Sequence, residues 1–355
     1  MMNQINNSSF YHSLMKILSE NWNNCLTDNF DFVRFGKPER DIIDAQKNLN
    51  EIEHYLDEIE SMYFLLEDER SKEILLRLLA FKILGHRKVR LPLSQPLYFE
   101  TTDRLSQYIN KENKLDVKFL SSSIPLYYAD LINLKLPIKL FTTPRTILTQ
   151  FLLKQYEYTT DEMMVIGAQP GDVVIDGGAC WGDATLFFAD KVKENGKVLS
   201  FEFIPDNLNV FNRNMQLNPC FTNTVKMIEQ PLWSESNIKT YYRNIGPGSN
   251  VSVQEFDGYN GVVNSITIDD VVSQEELTSV DLIKMDIEGA EQHALKGAEK
   301  TLKRFAPKLA IAIYHNINDF ANIIHKINDM ALGYKFYLGH FTIFQEETVL
   351  FAAKL

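Results

Sequence analysis

Apolar residues at Leu49, Ile52, Leu56, Ile59, Tyr63 and Leu66 recur at intervals of three and four. That spacing predicts an amphipathic helix beginning near Asp44. A second helix is expected from about Ser71, with Leu75, Leu78, Leu79 and Ile83 facing inward and Gly85 ending it. The pair reads as a helical hairpin packed on the main body or as a coiled-coil seam between two copies. Fewer than three full heptads are present, which favours the hairpin. The preceding forty or so residues are Asn-rich and weakly patterned. Residues 89–120 are mixed and interrupted by Pro92 and Pro96, after which Ile124–Leu131 and Ile138–Phe141 read as short extended pieces before a helix over Thr146–Tyr156. The pattern divides the chain near residue 120, into a mainly helical region 1–120 and a domain 121–355.

From Pro170 onward, strand and helix alternate. Strands are predicted at Val173–Asp176, Lys197–Phe203, Val225–Ile228, Asp281–Asp286 and Lys308–Tyr314. Helices are predicted at Ala184–Val192, Asn207–Leu217, Ala290–Arg304 and Asp319–Leu332. This alternation implies an α/β fold, a parallel sheet with helices on both faces. Tyr334–Leu338 and Thr348–Ala353 lie close together in sequence, so they are expected as an antiparallel hairpin at the sheet edge.

The 355 residues suffice for one large core, or one core and a smaller domain. The formal net charge of −11 argues against a nucleic-acid backbone as the main partner, because phosphate recognition needs a basic surface. Cys25, Cys180 and Cys220 have no metal-type spacing and are odd in number, as expected for free thiols in a reducing cytoplasm. The N-terminal MMNQINNSSFYHS lacks the basic-then-apolar pattern of a secretory signal. Ile74–Leu84, the most apolar stretch, is broken by Arg77 and Lys82 and is too short to span a bilayer.

Ligands of such sheets bind beyond the carboxyl ends of the strands, so the residues there carry the chemistry. The run VVIDGGACWGD, Val173–Asp183, joins a buried strand to a helix through a glycine-rich turn. It breaks the dinucleotide pattern G-x-G-x-x-G, because Ala179 stands where the second glycine should be. It fits the looser pattern acid-x-G-x-x-x-G of S-adenosylmethionine enzymes, with Asp176, Gly178 and Gly182. Asp176 and Asp183 flank the turn and suit a cationic ligand better than a phosphate. Asp176 can face the donor's ammonium group, directly or through water. Glu202, twenty residues past Gly182, can accept hydrogen bonds from both ribose hydroxyls of an adenosine.

The second strong feature is VDLIKMDIEGAEQHALKG, Val280–Gly297. Asp286 ends a strand, Glu288 points the same way in extended chain, and Glu291 follows one helical turn later. Acids in a first helical turn also complement the helix dipole, which by itself accounts for Glu288 and Glu291 but not for Asp286. His315 ends the apolar strand KLAIAIYH and is an acid–base candidate; His340 is similar, and His293 has no assigned role. Trp181 either covers the ligand or fills the core. Asp286, Glu288 and Glu291 could together hold Mg²⁺, but with no further oxygen ligand in evidence hydrogen bonding is the preferred reading, so no metal is assigned.

The segments VVIDGGACWGDA, VLSFEFIPDNLNVFNRN, SITIDD, VDLIKMDIEGAEQHALKGA, PKLAIAIYH and ETVLFA, in this order over roughly 200 residues, resemble the FkbM family of S-adenosylmethionine-dependent methyltransferases. Cys180 stands where the wider methyltransferase turn has its middle glycine. The resemblance implies a Rossmann-like class I methyltransferase sheet, mostly parallel with an antiparallel last strand. It implies methyl transfer to oxygen, commonly a sugar or polyketide hydroxyl. Asp176, Gly178, Gly182 and Glu202 are then the donor-binding candidates. Asp286 and His315 are the catalytic candidates, and Glu288 and Glu291 the substrate-binding ones. The acceptor is expected to be a small molecule or glycan, with residues 1–120 as a substrate cover or a homodimer contact. Two other readings remain: an NAD-dependent oxidoreductase, and a non-catalytic adaptor that keeps the fold.

Overall fold

The computed structural model describes residues 8–31, 45–93, 95–119 and 123–354. The chain opens with α1 (Ser9–Asn21), capped by the Ser8 hydroxyl, which accepts from the Phe10 N–H. The helix predicted as one piece from Asp44, a residue outside the described ones, forms as α2 (Ala45–Glu53) and α3 (Leu56–Leu65). The break follows the acids: Glu53 and Asp57 would repel one turn apart in a continuous helix, whereas Asp57 and Glu58 favour the first turn of a new one. α4 (Glu69–Leu84) starts at the Asp68 cap, which accepts from the Ser71 N–H at 2.8 Å. It is buried on more than the single expected face, since Leu76, Ala80, Phe81 and Leu84 are covered as well. Apart from the exposed Met15 and Phe64, these helices bury most of their large apolar residues within the chain, in one cluster with the main sheet.

After α5 (Gln95–Leu105) comes an antiparallel sheet of β1 (Ile109–Lys118), β2 (Ser123–Asp130) and β3 (Lys139–Thr142), in that order. Pro92 precedes α5 and Pro96 is its second residue, so the segment expected to be interrupted there forms a helix. The strand-like pieces near 124 and 138 are β2 and β3. Pro144–Thr146 then runs into a π-helical stretch, Ile147–Leu152.

The main sheet has seven strands. In chain order they are β4 (Val173–Gly177), β5 (Lys197–Phe201), β6 (Val225–Ile228), β10 (Leu282–Met285), β11 (Lys308–Ala312), β12 (Lys335–His340) and β13 (Thr348–Ala353). Three short strands precede β10, namely β7 (Lys239–Tyr242), β8 (Val251–Ser252) and β9 (Gly261–Asn264), and form a separate antiparallel sheet. Across the main sheet the order is β12-β13-β11-β10-β4-β5-β6. The β11-β10-β4-β5-β6 pairs are parallel, and β13 runs against both of its neighbours. The last two strands form the expected antiparallel hairpin at the sheet edge, with β12 outermost and β13 between β11 and β12. All six residues of β13 are buried, as an interior position requires.

Helices flank both faces: α6 (Asp183–Val192), α7 (Pro205–Gln216), α8 (Ile268–Gln274), α9 (Glu291–Lys296), α10 (Glu299–Phe305) and α11 (Ile317–Asn328). The helix predicted over Ala290–Arg304 is interrupted between α9 and α10. Alternate strand residues feed two cores. Ile175, Leu199, Ile283 and Ile311 face the cluster shared with α1–α4, whereas Val174, Val198, Leu282 and Ala310 face the other. This is a Rossmann-like, mostly parallel sheet with a helical N-terminal region. It sets the ends of β4, β5, β10 and β11 side by side.

Candidate functional site

The turn after β4 is shaped by residues in the left-handed region. Gly178 has φ 79° and Gly182 φ 86°. A Cβ on Gly178 would lie 1.9 Å from the Asp286 carbonyl oxygen, so the turn packs directly on the backbone at the end of β10. Cys180 also has a positive φ, 47°. A glycine would hold that conformation without strain, which accounts physically for the residue type expected there.

Asp176 does not line the cavity. It is fully buried, with Lys284 Nζ 3.1 Å from one carboxylate oxygen and the Thr185 hydroxyl donating to the other at 2.6 Å. Register makes the contact, because Lys284 and Asp176 are partners on the adjacent parallel strands β10 and β4. The Lys284 ammonium also donates to the carbonyls of Gly177 (2.9 Å) and Gly178 (2.7 Å). Burial pushes its pKa down, and the Asp176 and Asp286 carboxylates more than restore it, so it is raised overall and stays charged. The pair therefore builds the turn from beneath. Asp183, at the start of α6, is the acid of the turn that remains partly exposed. Burial, with Asp176 and Asp286 nearby, pushes its pKa up to about 6.

A cavity opens beside the turn. Gly178, Cys180, Glu202, Phe203, Ile204 and Asn207 line it together with Asp286, Ile287 and Glu288. Pro247, Ser249 and Val251, from the β7–β9 insertion, also border it. The Glu202 carboxylate accepts from the N–H groups of Phe203 (2.6 Å) and Ile204 (2.8 Å) and from the Asn207 amide (3.1 Å). Burial pushes its pKa up, against those donors. It is thus fixed in orientation at the end of β5, among apolar side chains that can take a flat ring. Trp181 packs with Phe141 and Val210 and donates to Asn207 at 3.1 Å. It fills the core, while Cys180 borders the cavity.

Asp286 is the hub of a second cluster. Tyr156 donates to one carboxylate oxygen at 2.8 Å and Tyr314 to the other at 3.0 Å. Burial alone would raise the Asp286 pKa, but His315, Lys284 and Tyr156 hold it well below the usual carboxylate range. Burial pushes the pKa of both phenols well up, so they remain donors. His315 Nε2 lies 3.3 Å from Asp286 and 3.5 Å from Glu288, and its Nδ1 lies 3.2 Å from Glu291. Burial lowers the His315 pKa, but the three carboxylates outweigh it and the net shift is upward. Glu288 has φ 57°, a strained backbone beside the site, and keeps a partly exposed side chain.

The structure therefore brings Gly178, Glu202, Asp286 and Glu288 to one cavity, with His315 behind the two acids. Gly182 shapes the turn. Glu291 is wholly buried behind His315 and accepts from the Ile287 N–H at 2.8 Å, out of an acceptor's reach. His340 lies in β12 bonded to Thr348, and His293 stacks on Trp233. Lys284, Asn207, Tyr156 and Tyr314 were not assigned from sequence. Tyr314 stands beside His315 at a strand end, where the strand-end rule reaches it; Lys284 lies within β10, and only the assembled register sets it against Asp176. Tyr156 comes from outside the alternating region, and nothing in the pattern points to it.

Residues 166–336 match the family model of the methyltransferase FkbM domain. The crystal structure of methyltransferase FkbM from Methylobacillus flagellatus is 18% identical, with a TM-score of 0.52 over 85% of this chain and 60% of that one. The chain thus spans three fifths of that protein's length. A putative rRNA methylase from Clostridium thermocellum is 11% identical, covering 52% of this chain and 87% of its own, with a TM-score of 0.36. Fibrillarin from Aeropyrum pernix, solved with natively bound S-adenosyl-L-methionine, is 11% identical over 68% of this chain and 99% of its own, with a TM-score of 0.35. No curated protein matches the sequence. Among the described residues, no helix is long and apolar enough to cross a membrane.

Proposed function

We propose that this chain, which carries a methyltransferase FkbM domain at residues 166–336, is an S-adenosylmethionine-dependent O-methyltransferase acting on a hydroxyl of a sugar or glycan precursor. The observation that carries the reading is that Glu202, Asp286 and Glu288 line one cavity; we assign Glu202 to the donor and the other two to the acceptor. Glu202 receives the ribose hydroxyls, the flanking apolar side chains receive the adenine, and Gly178 allows the methionine portion to lie against the backbone. Because Asp176 is buried beneath the turn, the partly exposed Asp183 is our candidate for the donor's ammonium.

Methyl transfer is an in-line displacement at a sulfonium carbon, and the donor is already activated. Positioning the acceptor oxygen therefore contributes most. Asp286, fixed by two phenols, accepts a hydrogen bond from the acceptor hydroxyl and takes its proton as the carbon–oxygen bond forms. His315, surrounded by acids, orients Asp286 and Glu288 instead of removing the proton. Glu288, partly exposed, binds a neighbouring acceptor hydroxyl, as a vicinal diol of a sugar would offer. Region 1–120 serves as the substrate cover or the contact between two copies, and 121–355 as the transferase domain.

Calorimetric titration with S-adenosylmethionine and S-adenosylhomocysteine tests the donor half. Saturable binding to the wild type and a loss of at least tenfold in Glu202→Ala are expected. No binding to the wild type, or the same binding in the variant, would sink the assignment. Incubation with methyl-labelled donor and a panel of nucleotide sugars then identifies the acceptor.

A further inference from the structure

We propose that Asp286, Glu288 and His315 form a binding site for a divalent transition-metal ion at the acceptor side of the cavity. The inference deepens the methyltransferase reading and rests on it for the ion's role, but not for its binding.

The geometry comes first. One donor atom from each of these three side chains lies within 4.8 Å of the others. His315 Nε2 is 3.3 Å from Asp286 and 3.5 Å from Glu288. These separations exceed the ~2.7–2.9 Å of a charge-assisted hydrogen bond. They match edges of a coordination polyhedron: metal–ligand bonds of about 2.0–2.2 Å place neighbouring ligand atoms ~3.0–3.5 Å apart in octahedral or tetrahedral arrangements.

A second observation comes from the histidine. Its side chain is only 8% exposed, and neither ring nitrogen makes a hydrogen bond of acceptable geometry. Three carboxylates at 3.2–3.5 Å hold the ring by charge, without the directed hydrogen bonds a buried imidazole normally makes. Nε2 points toward the two carboxylates, and Nδ1 is 3.2 Å from the wholly buried Glu291. A metal-bound histidine characteristically faces a carboxylate with its other nitrogen, and metal-bound carboxylates are themselves hydrogen-bonded. Tyr156 and Tyr314 supply those bonds to Asp286. Among the described residues, no other trio of acids, cysteines and histidines meets these distances.

The donor set selects the ion. One imidazole with two carboxylates suits Mn²⁺, Zn²⁺ or a similar first-row ion better than Mg²⁺ or Ca²⁺, which prefer oxygen alone. Three protein ligands leave positions for acceptor oxygens. The acceptor class is then narrowed to molecules presenting two adjacent oxygens.

The test uses the full chain, stripped with chelator, without donor or acceptor. Calorimetry and thermal unfolding are run with MnCl₂, with MgCl₂ as the comparison. Saturable one-to-one Mn²⁺ binding, a rise in Tm, and at least tenfold weaker binding in Glu288→Gln are expected. Glu291→Gln, behind the histidine, should weaken binding 10- to 100-fold. Electron spin echo spectroscopy of the Mn²⁺ complex should show one coordinated histidine nitrogen, lost in His315→Gln. No Mn²⁺ binding, binding unchanged in Glu288→Gln, or no nitrogen signal would overturn the proposal. If His315→Gln fails to fold, the wild-type spectrum and Glu288→Gln still decide. Donor titration is read separately: donor binding without metal binding refutes the metal site alone, and metal binding without donor binding refutes the transferase alone.

Discussion

Replacing Lys284 by methionine tests how the glycine-rich turn is built. The ammonium is almost wholly buried, at 2% side-chain exposure against 0% for Asp176. Methionine keeps most of the volume and removes the charge. It leaves the Asp176 carboxylate with Thr185 alone and strips a donor from the carbonyls of Gly177 and Gly178. Breaking a buried pair from one side costs about 3–5 kcal/mol, because the remaining charge stays desolvated. The double variant Lys284→Met/Asp176→Asn removes that charge too, while the amide can still accept from Thr185. It should recover roughly 2 kcal/mol of the loss. Urea unfolding followed by circular dichroism measures all three proteins, and S-adenosylhomocysteine titration should show the single variant's affinity falling with the turn's rigidity. The loss should change little between low and high salt, since a buried pair is weakly screened. The reasoning fails if Lys284→Met lies within about 1 kcal/mol of wild type, or if the double variant is less stable than the single one.

Gly178→Ala should abolish measurable donor binding, since its Cβ would press on the Asp286 carbonyl; Gly171→Ala, at φ 91° with open space around it, should retain binding, and equal behaviour of the two would refute the clash. Cys180→Gly should stabilise the protein by about 1 kcal/mol, the left-handed strain relieved less the added entropy of the unfolded chain. Cys180→Ala should show no such gain, and equal stability of the two in denaturant would remove strain as the cause. His340, buried in β12, has its pKa pushed down by burial to about 3, from 6.5. Between those values the unfolded chain binds more protons than the folded one, so stability falls on acidification. From pH 6.5 to 4 the loss is at most roughly 3 kcal/mol. His340→Gln should flatten that slope in unfolding curves taken at successive pH values, and an unchanged slope would assign the loss to other groups.

The sheet was legible because its strands are short apolar runs ending in glycine or an acid, and the helices between them carry the 3.6-residue period. The strand-end rule then reached Glu202, Asp286 and His315 without knowledge of the strand order. Asp176 shows where it stops. A terminal acid looks like a ligand contact until the adjacent strand places Lys284 against it, and that register is set only by the assembled sheet. Glu291 illustrates the same limit on a helix: its spacing from Asp286 is visible, but not that His315 lies between it and the cavity. The β7–β9 insertion was missed because its strands are two to four residues long and half-exposed, leaving no alternation long enough to read. Tyr156 approaches Asp286 across 130 residues of sequence, a contact no local pattern encodes.

The pairing of the first helices with the far edge of the sheet sets an order of assembly. The Ser71 hydroxyl accepts from the Leu338 N–H across 267 positions, and Leu66 bridges to Phe336. During synthesis, the apolar faces of α3 and α4 therefore emerge long before the hairpin that will cover them exists. At ~5–20 residues per second they stay exposed for about 13 s or more. For that interval the helices depend on one another, or on a chaperone, to keep out of contact with neighbouring chains. Translation speed through the last third of the message thus becomes a determinant of yield, independent of the stability of the finished protein.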